Sequence, residues 1–165
     1  MQQAGKSSPL ALMPVKPITL LLAEDHAVFR KSLKLLVEMQ GDIKVVGEAK
    51  NGKEALQMSV RLHPDVVIMD IAMPILNGLL ATRGIVEASP KTRVLMLSSH
   101  PDQEYIEQAV LYGASGYLIK QSSAPVLAEA IREVFAGKTY FSASISKRIQ
   151  DESRKVFDKR QLLKT

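Results

Sequence analysis

Between residues 18 and 137 the chain alternates five short apolar runs with five stretches of helical period, and no other feature restricts its fold as sharply. The runs at 18–23, 44–48, 66–69, 94–97 and 116–119 are near-continuous in Val, Ile, Leu and Met. That is the pattern of parallel strands buried on both faces. Between them, Phe29, Leu33, Leu36 and Val37 recur at i, i+4, i+7, i+8, and Leu127, Ala130, Ile131 and Val134 at i, i+3, i+4, i+7. Each set makes one apolar stripe to lay on a sheet. Stretches 54–62, 79–87 and 103–112 complete five helices. Strands that are each followed by a helix specify an open, doubly wound α/β sheet, because every right-handed crossover returns the chain parallel to the strand before. In such a sheet all strands end on one edge, and ligands bind there. The residues just after each strand are therefore the ones to read.

Length sets the remaining bounds. The 165 residues suffice for one domain with flanking segments, and 46% hydrophobic with 24% charged residues is the balance of an ordinary globule. No apolar run approaches the roughly 20 residues of a membrane span. Residues 1–17 hold only a short apolar patch between prolines and read as a disordered leader, not a signal peptide. The absence of cysteine excludes disulfides and thiolate metal sites and suits a reducing cytoplasm, the expected location. The net charge of +5 belongs to the ends: residues 18–137 carry 12 Lys/Arg against 14 Asp/Glu, and residues 138–165 carry 8 against 3. A basic tail of this kind most often marks a solvated helix face. Gly137 and Lys138 close the fifth helix. From Ser142, Ile145, Ile149, Val156, Phe157 and Leu163 roughly keep a helical period, so 138–165 reads as a linker or helical tail.

The strand ends gather one kind of chemistry. Glu24 and Asp25 follow the first strand, Asp70 the third, Ser98 and Ser99 the fourth, Lys120 the fifth. Three carboxylates on one edge raise each other's pKa unless a cation neutralises them. A hard divalent ion with oxygen ligands answers that need, and Mg2+ is the one that keeps waters and takes only one or two carboxylates. Such an ion would leave Asp70 ionised as a nucleophile toward phosphorus. Lys120 and the Ser98 hydroxyl would neutralise the equatorial oxygens. Taken singly, each residue has a plainer reading. Asp25 could cap a helix, Asp70 could shape the Met73-Pro74 turn, Ser98 could cap the following helix, and Lys120 could be a solvated charge. Their joint placement at the ends of one parallel sheet favours the chemical reading. His26 and His63 lack a second histidine at ligand spacing and read as structural. Met58, Met69, Met73 and Met96 read as core.

The segments LLAEDH at 21–26, VVIMDIAMPILNG at 66–78, VLMLSSH at 94–100 and GASGYLIK at 113–120 resemble the receiver domain of bacterial response regulators over 18–137, most closely the NarL/FixJ (LuxR-type) subfamily. The resemblance implies a flavodoxin-like (βα)5 fold with strand order 2-1-3-4-5. It implies that Asp70 accepts a phosphoryl group from a sensor histidine kinase. Mg2+ would be held by Asp25, Asp70 and the Ala72 backbone carbonyl, with Glu24 acting through water. Lys120 matches the pattern's lysine. Ser98 and Tyr117 match a switch pair, in which the hydroxyl moves to the phosphoryl group and the ring turns inward. Ala72 and His100 fall where the family tunes phosphoryl lifetime, and Gln121 departs from the acidic residue or proline common after the lysine. The implied output is transcription, with a second copy of the chain as a partner. DNA would be a partner only if a helix-turn-helix domain lies outside the chain. The alternative is a stand-alone receiver acting as an interaction module. No enzymatic turnover is expected: a haloacid-dehalogenase-like phosphatase needs a second Asp at position 72, which is Ala. A dinucleotide-binding domain needs glycines where the first strand runs into AEDH.

Overall fold

The computed structural model of the chain describes residues 16–99, 102–141 and 143–164. The expected leader over 1–17 falls almost wholly outside the described residues, as does His100. The elements run β1 (Ile18–Ala23), α1 (Ala27–Glu38), β2 (Ile43–Ala49), α2 (Gly52–Leu62), β3 (Val66–Met69), α3 (Gly78–Ala88), β4 (Arg93–Ser98), α4 (Gln103–Leu111), β5 (Gly116–Ile119), α5 (Ala124–Phe135) and α6 (Ala143–Leu162). The strands pair in parallel in the order β2-β1-β3-β4-β5. Three of the five expected strands have the expected bounds; β2 and β4 extend one residue further at each end.

Period-two alternation divides the core into two layers. Leu21, Ala23, Val67, Met69, Met96 and Tyr117 face α2, α3 and α4. Leu20, Leu22, Val66, Ile68, Leu95 and Leu118 face α1 and α5. Burial on both faces holds in full for the central strand β3, whereas β2 is only half-buried along much of its length and Ile119 of β5 is exposed. The difference is positional: the outer strands of an open sheet have a neighbour on one side only. In α1, Leu33 and Val37 are buried and Phe29 packs against them, but Leu36 is substantially exposed, so the buried stripe is narrower than the spacing suggested.

Local chemistry sets the helix ends. Asn51 accepts from the Glu54 amide at 2.8 Å and Asn77 from the Leu80 amide at 2.9 Å, both as N-caps. His63 ends α2 in the left-handed conformation (φ 48°) just before Pro64. Gly137 does the same after α5 (φ 88°), with its amide on the Val134 carbonyl and that of Lys138 on Glu133, a Schellman closure. Neither Asp25 nor Ser98, the two residues read as possible caps, serves as one. The N-cap of α1 is His26, and that of α4 is Asp102, leaving Ser98 inside the end of β4.

Candidate functional site

Every strand C-terminus opens on the same edge, and Glu24, Asp25, Asp70 and Lys120 meet there. β1 and β3 are adjacent with Ala23 opposite Met69, so Glu24 and Asp70 leave the sheet side by side. Glu24 and Asp70 are buried; Asp25 is half-exposed. Lys120 reaches over from β5, with Nζ 2.8 Å from Glu24 Oε2 and 3.3 Å from Asp70 Oδ2. The ammonium also sits 4.9 Å from the centroid of the Phe29 ring, which closes the α1 side of the pocket as a cation–π contact.

These contacts split the two buried carboxylates electrostatically. Burial works to raise the pKa of Glu24, but hydrogen bonds from Lys120 and His26 prevail and hold it below the ordinary carboxylate range. Asp70 goes the other way. Burial, then the charge of Glu24, push it up against the opposing pull of Lys120 and of the Ile71 amide, which donates to Oδ1 at 2.8 Å. The pocket therefore holds more negative charge than the lysine satisfies.

His26, set aside in the sequence as structural, belongs to this cluster. Its Nδ1 lies 2.8 Å from Glu24 Oε1 and 3.2 Å from Asp25 Oδ1, and hydrogen bonding to Glu24, then the charge of Asp25, raise its pKa. The Glu24 contact is the shorter of the two. Asp25 Oδ1 is left buried without a hydrogen-bond partner. One ligand atom each from Glu24, Asp25, His26 and Asp70 can be chosen so that all lie within 4.8 Å of one another. Crowded carboxylate oxygens with one orphaned fit a hard divalent cation. Ala72 is exposed in the loop two residues beyond Asp70.

That loop is pinned from behind. The Ile71 carbonyl accepts from the Met73 and Gly78 amides, and the Leu76 carbonyl from the Gly52 amide at 3.0 Å. A Cβ on Gly78 would run into the Asp70 carbonyl, and one on Gly52 into that of Leu76. Between these pins Ile75 is held at φ 71°, a costly conformation for a β-branched residue. Arg30, absent from the sequence reading, is buried under the first strand end. Its Nη1 donates to the Glu24 carbonyl at 2.7 Å and its Nε to Glu48 at 3.1 Å. An arginine inside an amphipathic helix reads as surface from spacing alone, and only the β1–β2 pairing brings Glu48 to it.

Ser98 is fully buried at the end of β4, and its carbonyl accepts from the Lys120 amide at 2.9 Å. Tyr117 was expected to turn inward on phosphorylation; its ring is already buried, and its hydroxyl is hydrogen-bonded to Ser98. Burial raises the Tyr117 pKa, and the Ser98 bond lowers it in part. Among the described residues no helix is long and apolar enough to cross a membrane.

Comparison with known proteins agrees with this fold. The model of the response regulator receiver domain matches residues 20–132. The chain is 34% identical to the transcriptional regulatory protein DegU of Brevibacillus brevis over 84% of its own length and 59% of the relative's. It is 37% identical to the oxygen regulatory protein NreC of Staphylococcus carnosus over 81% of its length and 62% of the relative's. It thus spans about three fifths of these relatives. Among solved structures, a LuxR-family two-component response regulator from Aurantimonas sp. superposes with TM-score 0.76 at 31% identity, covering 84% of this chain and 99% of that one. The receiver domain of the NarL regulator of Mycobacterium tuberculosis superposes at 0.73 with 29% identity, covering 75% and 100%. With more than half its residues matched, the chain belongs to the response regulator receiver domain family.

Proposed function

We propose that residues 18–137 receive a phosphoryl group on Asp70 and that residues 138–165 link this event to an output. The observation that carries the reading is the surplus charge of the pocket: Asp70 is raised in pKa beside Glu24, and Asp25 keeps a buried oxygen with no hydrogen-bond partner. Asp25, Asp70 and the Ala72 carbonyl would hold Mg2+, with Glu24 through water. The bound cation would supply counter-charge to the carboxylates and a coordination position for a phosphoryl oxygen. Relieved of that repulsion, an Asp70 carboxylate oxygen bonds to phosphorus as the bond from phosphorus to the imidazole nitrogen of a kinase phosphohistidine breaks. The released imidazole takes up a proton. Lys120, 3.3 Å from Asp70, is set to neutralise one equatorial oxygen, and Ser98 a second once its hydroxyl leaves Tyr117.

The protein then stores a phosphoryl group and does not turn over a small substrate of its own. The relatives named as transcriptional and DNA-binding regulators support transcription as the output, through a DNA-binding domain outside this chain. Intact mass spectrometry after incubation with acetyl phosphate and Mg2+ tests the reading. One phosphoryl adduct is expected, and it should disappear when a chelator replaces the metal. Equal labelling with and without metal defeats the cation assignment, and no adduct in either case defeats the acceptor assignment.

A further inference from the structure

The segment after α5 does something the strand-helix repeat does not require. Having closed α5, the chain returns to the outer edge of β5 and adds one parallel bridge, Gly116 opposite Tyr140. The Tyr140 amide donates to the Ser115 carbonyl at 2.9 Å, and the Tyr117 amide to the Tyr140 carbonyl at 3.0 Å. The two aromatic residues then straddle the sheet: Tyr140 packs on the α1/α5 core and Phe141 on the α2/α3/α4 core. Position 116 has to be bare for this approach, since a Cβ there would stand 2.8 Å from the Tyr140 carbonyl oxygen. A rung on the sheet edge is thus built three residues before α6 begins.

We infer that residues 139–141 form a strap that couples the state of the acidic pocket to α6 through the backbone of β5. The contacts are continuous. Lys120 touches Asp70, and its amide holds the Ser98 carbonyl; Ser98 holds the Tyr117 hydroxyl; the Tyr117 amide holds Tyr140; Phe141 leads into α6. A new dianion on Asp70 that draws Lys120 and Ser98 toward it pulls on both ends of β5. Among the described residues the main-chain bonds of the strap run to Tyr117 of β5 and to Ser115 just before it, so it follows that strand. The differential contact is made at the pocket and the displaced element is the start of the tail, which gives the two-state coupling a physical route. The inference rests on Asp70 being the acceptor and adds where the signal leaves.

Amide NMR of the whole chain with beryllofluoride and Mg2+ as phosphoryl mimic tests it in wild type, Gly116→Ala and Tyr140→Pro. The first substitution puts a methyl against the Tyr140 carbonyl; the second removes the amide that bonds Ser115 and leaves the five strands intact. In wild type, resonances near Asp70, at Tyr117 and Tyr140 and through the first turns of α6 should shift together. In both variants the response near Asp70 and Ser98 should persist while that of α6 is lost. An α6 response undiminished in Tyr140→Pro overturns the strap, whether or not Gly116→Ala folds. So does a silent α6 in wild type whose pocket resonances do shift. A silent pocket in wild type instead overturns the acceptor reading on which the strap rests.

Discussion

Asp65 and Asp70 stand at opposite ends of the same four-residue strand, β3, and their surroundings could hardly differ more. At the entrance, one oxygen of Asp65 accepts from both the amide (2.9 Å) and the hydroxyl (3.0 Å) of Thr19, and its own amide donates back to Thr19. Nearby, the Thr92 hydroxyl donates to the Pro64 carbonyl and Arg132 grips Asp42 with two bonds of 2.7 and 2.9 Å. Each of these polar groups has a partner of opposite character. At the exit, Asp70 shares a buried pocket with two more carboxylates and one lysine, and an oxygen is left over. One aspartate finishes the fold; the other, though met by the Ile71 amide and Lys120, is pushed up in pKa by burial and by Glu24, the kind of perturbed setting found where a carboxylate takes on chemistry.

Four predictions break or sharpen this contrast. The largest is categorical: Asp70→Asn should lose the hydroxylamine-sensitive adduct completely, while Asp65→Ala should keep full stoichiometry in the same mass measurement. Adduct surviving in Asp70→Asn would move the acceptor to Glu24 or Asp25.

Next comes the loop behind the exit. Gly78→Ala drives a methyl into the Asp70 carbonyl and should cost about 3 kcal/mol in denaturant unfolding. A cost near zero would mean that the loop yields easily and its pins are incidental.

The third compares the signs of the two aspartates. Asp65→Ala leaves the Thr19 amide and hydroxyl without their acceptor and should destabilise by about 2 kcal/mol. Asp70→Asn should stabilise instead when no divalent cation is present. Its folded pKa is raised, so the folded state binds the proton more readily than the unfolded chain, and stability is lost as pH rises through that folded pKa. The gain from the amide therefore grows as pH rises above the ordinary aspartate range and vanishes below it. Thermal melts at neutral and acid pH check both the sign and the window.

The smallest effect belongs to the entrance. Arg132 beside Asp42 lowers its pKa, so the pair contributes above the ordinary aspartate value and is lost as pH falls through the lowered one. Both partners are largely exposed, and Asp42→Asn should cost less than about 1 kcal/mol at neutral pH. A larger loss would show that the entrance, too, depends on charge.

Much of the architecture was legible in the chain because it is periodic. Apolar runs and stripes repeat with the geometry of strands and helices, and the strand ends point to Glu24, Asp25, Asp70, Ser98 and Lys120 by counting along the chain. What counting could not supply are relations between residues distant in sequence that share no period. The strand order decides that Glu24 and Asp70 are neighbours, and that Glu48 lies where Arg30 can hold it. His26 joins the carboxylates only because the turn into α1 brings its Nδ1 over Glu24, a matter of direction that spacing does not encode. Tyr140 reads as linker until the sheet offers it an unpaired edge. Propensity and period act within a few residues and so are written in the sequence. Hydrogen-bond partners, pKa shifts and the left-over oxygen of Asp25 depend on distances set only when the sheet closes, and those the tertiary structure alone decided.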